Sequence, residues 1–369
     1  MAPTKVAVVG FGMSATVFHL PFILSLPDKF DLRVIVERSA TPDKSKARDA
    51  FPHVAVVNTL EQALEHDIDA VWVLAPNAEH FNYCKAALEA GKHVVVEKPI
   101  TPTSAEAYQL AALAAEKNLV LAVYQNRRWD ADFLTLKDLV ARGELGDLSE
   151  FESHFDRYKN VLNAKQWKEA DIPGAGAAYD LGSHLIDQLL DLFGPPERVT
   201  GLVRNSRALG VPSVPDSFHI QLHYPALPSV AGRALPLVAT ARGSILSLEA
   251  PQPRFRVRGT KATWVKTGLD AQEAQLVAGG AGAIGQEGFA IEPKEQNGKL
   301  YRLDGKGEAE VITSLPGSYA SWFANVGDAL LARDPSRLIV KSDQAALVIK
   351  VIEVATQSSR EGRTLDFDL

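Results

Sequence analysis

"KVAVVGFGMSATVFH" (residues 5–19) decides the fold. A short apolar run, "VAVV", reads as a strand, and the pattern then switches to one that opens a helix. Gly10, Gly12 and Ala15 fall in the three small-residue positions of the dinucleotide fingerprint. The first glycine permits a tight turn, the second lets backbone approach a pyrophosphate at the helix N-terminus, and the third position allows close helix packing. A bare glycine pattern also fits a merely tight turn. Its place in the first βα turn of an alternating chain favours the nucleotide, with Phe11, Met13 and Ser14 completing the loop that would face it.

Outward from this loop, residues 1–125 alternate apolar runs ("LRVIVE", "DAVWVLA", "HVVVEKP", "LVLAVYQ") with helical patterns such as "SAEAYQLAALAAEKN". That alternation predicts a doubly wound parallel Rossmann sheet with crossover helices. "TPTSAE" supplies a helix start there, and Gly91 a stop. From 126 to 369 the texture changes. "SFHIQLHY", "RFRVRG" and "ATWVK" read as antiparallel strands joined by turns, framed by helices, so an α+β domain built on a large, mainly antiparallel open sheet is expected for substrate binding and oligomerisation. "VAGGAGAIGQEG" (277–288) is expected to be a mobile loop, because concentrated glycine packs poorly.

Composition narrows the class of function. The chain's 369 residues exceed what one core usually supports, and 46% hydrophobic with 23% charged residues describes a globular protein. A formal charge of −6 without basic clusters gives no footprint for nucleic acid or an anionic membrane, so small neutral partners are expected. The single cysteine, Cys84, cannot form an intrachain disulfide. With no signal-like N-terminus and no long apolar run, it points to the cytoplasm.

Two stretches carry further chemistry. The second strand ends at Glu37, where a carboxylate would bind both adenosine ribose hydroxyls and favour NAD. Arg38 and Ser39 follow at once and would instead hold a 2′-phosphate, Arg38 by charge-assisted hydrogen bonds and stacking on adenine. If Glu37 turns away, NADP(H) is favoured over NAD(H). "HVVVEKPIT" (93–101) reads as a buried strand that ends in a charged pair. Ligands of open parallel sheets bind at the carboxyl ends of strands, so Glu97 and Lys98 are expected at the cofactor crevice, with Glu97 anchoring the loop.

The GxGxxA start, "APNAEH" (75–80), "EKP" and "YDLGSHLID" (179–187) together resemble the Gfo/Idh/MocA family, named for glucose-fructose oxidoreductase and inositol dehydrogenase. The resemblance spans nearly the whole chain. "VFHLPF", "YQNRRWDADFLTLK" and "FESHFDR" look most like its NADP-dependent scyllo-inositol dehydrogenase branch. It implies a dehydrogenase acting on a sugar, inositol or related polyol, with Lys98 as the catalytic lysine and Pro99 following a cis peptide. His184 would be the acid/base and Asp180 its partner, with Asn77 and His80 lining the nicotinamide ribose. Relatives associate through the open face of the second sheet, which implies a homodimer or homotetramer. The same family holds catalytically silent nucleotide-binding regulators and NAD-dependent glycoside hydrolases, and these remain alternatives.

The residues taken alone agree on chemistry. Oxidising a secondary alcohol needs a base within about 3 Å of the hydroxyl oxygen. A histidine suits that task near neutral pH, and an amine beside the positive ring of an oxidised cofactor can share or relay the proton. Asp180 lies four residues before His184 on one helix face, placed to orient the imidazole or a substrate hydroxyl. Substrate contacts are expected from Arg127 and Trp129, which could cradle a polyhydroxylated ring, although a salt bridge over a packed tryptophan fits the same residues. Tyr158 and Trp167 are weaker candidates. Asp180, His184 and Asp187 have a metal-like spacing, but no cysteine pair or third histidine completes the set, and no metal is expected.

Overall fold

The computed structural model describes residues 2–162, 170–303 and 307–368. The chain divides into two compact units. The first comprises Met1–Asn126, Gln272–Phe289 and Ser318–Ala346; the second comprises Arg127–Ala271, Ala290–Gly317 and Leu347–Leu369. Two later segments therefore return to the N-terminal unit.

In the first unit the strands are β1 (Thr4–Val9), β2 (Phe30–Val36), β3 (Ala55–Val57), β4 (Ala70–Val73), β5 (His93–Val96) and β6 (Leu121–Val123). They form one sheet in the order β3-β2-β1-β4-β5-β6, every neighbouring pair parallel. Strands β4 and β5 are buried at every residue, as expected of apolar runs covered on both faces. The crossovers carry α1 (Leu20–Ser25), α2 (Lys46–Ala50), α3 (Leu60–Leu64), α4 (His80–Glu89) and α5 (Ser104–Glu116). Capping boxes at Thr59/Gln62 and Thr103/Glu106 start α3 and α5, satisfying amide donors that a helix leaves unpaired.

Strand order reverses between β1 and β4, and the backbone is tightest there. Gly10 has φ +102°, and a Cβ on it would lie 2.7 Å from the Leu74 carbonyl oxygen, so only glycine fits the turn after β1. The stretch 277–288, expected to be a mobile loop from its glycine content, falls largely within regular elements of residues 272–285. They form a helix, Gln272–Gly279, and a 3₁₀ segment, Gly280–Gly285, which pack beside α1 and the turn preceding it. Leu276 and Ala283 are the buried anchors; counting glycines gave no weight to these two.

The second unit holds β7 (Leu148–His154), β8 (Arg198–Arg204), β9 (Ser217–Tyr224), β10 (Leu237–Ser244), β11 (Pro253–Gly259), β12 (Ala262–Thr267), β13 (Gly298–Arg302), β14 (Ala309–Ile312) and β15 (Leu365–Asp366). The sheet order is β14-β13-β12-β11-β7-β10-β9-β8-β15. Only β7 and β10 pair in parallel; the other neighbours are antiparallel. Burial alternates along β9, with Phe218, Ile220, Leu222 and Tyr224 turned to the core and Ser217, His219, Gln221 and His223 to the opposite face. The core face packs against α6 (Ala131–Ala141), α7 (Ser183–Phe193) and the latter part of the helix Ser342–Glu361.

That last helix lies directly on strand backbone. A Cβ on Gly201 of β8 would stand 2.0 Å from the Ala355 carbonyl oxygen, while Ser358 Oγ accepts the Gly201 amide at 2.9 Å. Gly201→Ala is therefore expected to lower stability by about 1–3 kcal/mol, the scale of overpacking. Urea denaturation checks this, and an unchanged midpoint would contradict the close approach.

Candidate functional site

The loop after β1 fits a dinucleotide. A Cβ on exposed Gly12 would meet nothing within 4 Å, so open space lies over the loop, whereas Ala15 is fully buried against the sheet. Met13 is half exposed, and Phe11 packs edge-on to Phe51 with centroids 6.0 Å apart. The helix begins as a π turn, Ser14–His19, before continuing as α1.

Glu37, at the end of β2, does not reach out toward a ribose. Its carboxylate is buried and turned into the start of α2, where Oε2 accepts the Ser45 hydroxyl at 2.6 Å and the Ala47 amide at 3.0 Å. Oε1 accepts the Lys46 amide at 3.2 Å. Burial alone would raise this carboxyl, but the Ser45, Ala47 and Lys46 donors outweigh it and hold it below its ordinary value. Arg38 and Ser39, immediately after it, are exposed.

At the end of β5, Glu97 is the hub. Its Oε1 accepts the Ser14 hydroxyl at 2.5 Å and lies 3.0 Å from His19 Nε2, while Oε2 accepts the Lys98 amide at 2.9 Å. Burial would raise the carboxyl, yet the hydrogen bond and charge of His19, the Ser14 hydroxyl and the Lys98 charge bring it down to about 2. Lys98 is half-buried, and the Lys98–Pro99 peptide is cis. His80 joins this turn to the one after β4: Nδ1 lies 2.8 Å from the Pro99 carbonyl and Nε2 2.9 Å from the Ala75 carbonyl. Burial pushes its imidazole below the ordinary value, partly offset by those carbonyls. Both ring nitrogens are thus engaged by backbone, so His80 braces the two turns, whereas Asn77, opening the 3₁₀ turn Asn77–Glu79, is half-buried. The carboxyl ends of β1, β4 and β5 therefore gather the glycine loop, Asn77 and the Glu97–Lys98 pair at the reversal point of the sheet.

In the second unit, Asp180 lies in a π turn, Ala178–Gly182, that runs into α7, and His184 lies in the first turn of α7. Gly176 (φ +94°) fixes the entry, since a Cβ there would sit 2.8 Å from Pro215. The buried His184 ring lies near-parallel to Phe155, centroids 6.5 Å apart. Asp187 is held by Arg128, whose Nε and Nη2 donate to its two oxygens at 2.8 and 2.7 Å, while Nη1 donates to Asp191 at 2.9 Å. Arg127, expected against substrate, is buried, with Nη1 3.2 Å from Asp130 Oδ2 and its guanidinium 5.0 Å over the Phe155 ring. Its charge is answered inside the unit. Trp129 is buried, Tyr158 is 53% exposed on a bridge to Leu246, and Trp167 lies outside the described residues.

Comparison with known proteins places this architecture. Residues 4–125 match the family model described as oxidoreductase family, NAD-binding Rossmann fold, and residues 137–367 match the model for the C-terminal alpha/beta domain of the same family. The chain belongs to the Gfo/Idh/MocA oxidoreductase family. It is 40% identical to an uncharacterised oxidoreductase of Schizosaccharomyces pombe, covering 99% of this chain and 100% of that one. It is 35% identical to the scyllo-inositol 2-dehydrogenase (NADP(+)) IolW of Bacillus subtilis, covering 98% and 95%. Among solved structures, yvaA from Bacillus subtilis superposes with a TM-score of 0.88 at 34% identity, covering 100% and 99%. Among the described residues, no helix is long and apolar enough to cross a membrane.

The depressed Glu97 carboxyl has a consequence for acid stability. A group lowered on folding contributes stability that is fully present above its ordinary value, 4.5, and is lost as pH falls toward about 2. Glu97→Gln should therefore flatten the acid limb of a melting-temperature profile in that window. Parallel limbs for the two proteins would contradict the pairing.

Proposed function

We propose that the chain is an NADP(H)-preferring dehydrogenase or reductase. It moves a hydride between the nicotinamide and a CH–OH or carbonyl carbon of a sugar, inositol or related polyol. The observation that carries this is the delivery of Lys98, on a turn fixed by Glu97, to the same sheet edge as the glycine loop. The oxidised nicotinamide, when bound, supplies the hydride acceptor at C4. His184 takes the hydroxyl proton as general base, and Lys98 polarises the oxygen that loses it. Asp180 orients the imidazole or a neighbouring substrate hydroxyl. Gly10, Phe11, Gly12, Met13, Ser14 and Ala15 form the pyrophosphate loop, with Asn77 toward the nicotinamide ribose. Trp129, Tyr158 and Trp167 are further candidates for contact with the polyol.

Nucleotide preference follows from Glu37. A carboxylate at the ribose would repel a 2′-phosphate, but this one is occupied in capping α2. The next residues along the chain, Arg38 and Ser39, are exposed and can receive the phosphate. The name of the 35% identical Bacillus subtilis relative carries both NADP(+) and scyllo-inositol, which supports the same choice.

A panel of inositols and sugars, assayed at 340 nm with both nucleotides, tests the reading. Sustained NADPH formation is expected with a polyol, and hydrolysis of a glycoside without net absorbance change would point to the family's glycosidases instead. Lys98→Ala and His184→Ala should each lower kcat at least about a hundredfold, with the double variant far from additive. A Lys98→Ala enzyme of normal rate would remove the lysine from the chemistry. Arg38→Ala should weaken NADPH binding more than NADH binding, and equal losses would refute the phosphate role.

A further inference from the structure

The proposed function leaves His19 without a task, yet this side chain is 0% exposed and bonded to the hub of the site. It lies among the rings of Tyr124, Trp322 and Phe323, at centroid distances of 4.2, 6.4 and 5.6 Å. Its Nδ1 has no hydrogen-bond partner among the described residues, so Nε2 to Glu97 is the one polar contact of a buried ring. Filling that space with an apolar ring would be less demanding; a polar ring here answers to Glu97.

The local backbone serves the same contact. Ser14 and His19 are the first and last residues of the π turn, and both reach Glu97 Oε1. In an α-helix, at 3.6 residues per turn, residues five apart point roughly 140° away from each other. The i→i+5 bonding of a π turn instead brings them over one another. The wider turn thus lets two donors from the nucleotide loop's own helix grip one carboxylate oxygen. The other oxygen of that carboxylate takes the Lys98 amide.

We propose that Ser14 and His19 are positioning residues for Lys98. They transmit the state of the dinucleotide loop through the Glu97 carboxylate to the lysine's backbone. A nucleotide seated on Gly12–Ser14 then orders the π turn, and the ordered turn sets the lysine. Neither residue touches the reacting atoms in this role. The inference rests on the nucleotide-binding reading given above and extends it to how binding is coupled to the lysine.

The test reads Lys98 directly and needs no substrate. Native protein, His19→Phe, His19→Gln and Ser14→Ala are labelled with limiting acetic anhydride with and without NADPH, and Lys98 acetylation is followed by peptide mass spectrometry. NADPH fluorescence reports binding in the same samples. His19→Phe keeps an aromatic ring in the pocket and deletes the donor, whereas His19→Gln restores an amide donor to Glu97. The expected result is a change of Lys98 labelling on NADPH binding in native protein and His19→Gln, and its loss in His19→Phe. Should His19→Phe fail to fold, loss of the response in Ser14→Ala at an NADPH concentration where fluorescence shows the nucleotide bound carries the same conclusion, and a retained response overturns it. An equal NADPH response in the native protein and the donor-deleted variants overturns the positioning role while leaving the functional reading intact. Absence of NADPH binding by the native protein overturns both.

Discussion

A carboxylate removed from water must be paired, and Glu97 pays for that with donors from three places along the chain. The strand that ends in it, β5, is buried at every residue, so the carboxylate cannot escape to solvent by shifting the strand. The Ser14 hydroxyl, the His19 ring and the Lys98 amide meet it, drawing the first helix of the unit onto the end of β5. Once that contact exists, the glycine loop and the lysine share one edge of the sheet. Gly10 pressed on the Leu74 carbonyl, and His80 between the Ala75 and Pro99 carbonyls, tie in the end of β4 as well.

The second unit uses charge in the same way under α7. Arg254 is 1% exposed and donates to Asp132 at 2.7 Å, to Gln188 at 2.9 Å and to Ser153 at 3.1 Å. Those partners lie on α6, α7 and β7, so a single guanidinium fixes the helix that carries His184 against its sheet. Gln188 stands one turn beyond His184 and also donates to the Arg127 carbonyl at 2.7 Å. Removing either member of the buried Arg254–Asp132 pair leaves a charge without compensation, at about 3–5 kcal/mol.

Much of this is legible in the sequence. The parallel sheet follows from alternating apolar runs and the tight turn from Gly10. Other features lie beyond what spacing reveals. Whether Glu37 faces a ribose or caps α2 depends on Ser45 and the amides of Lys46 and Ala47, which look like any loop-to-helix junction in sequence. Arg127 reads as a candidate for a pocket, yet it lies beside Asp130, and its neighbour Arg128 is held by Asp187 and Asp191, about sixty residues away. The π turns are invisible to a 3.6-residue template, although a serine and a histidine five apart were a signal that could have been weighed. Glycine at 279–288 argued for an open loop because local composition says nothing of the anchors at Leu276 and Ala283.

If one edge of the first sheet receives the nucleotide, its nicotinamide ring must come to lie beside Lys98. A crystal structure of the complex with NADP+ measures this most directly. The expected complex has the pyrophosphate over Gly12–Ser14, the 2′-phosphate at Arg38 and the nicotinamide ring beside Lys98, with Glu97 still gripped by Ser14 and His19. A nucleotide seated elsewhere, or a ring with Lys98 turned away from it, would refute this placement.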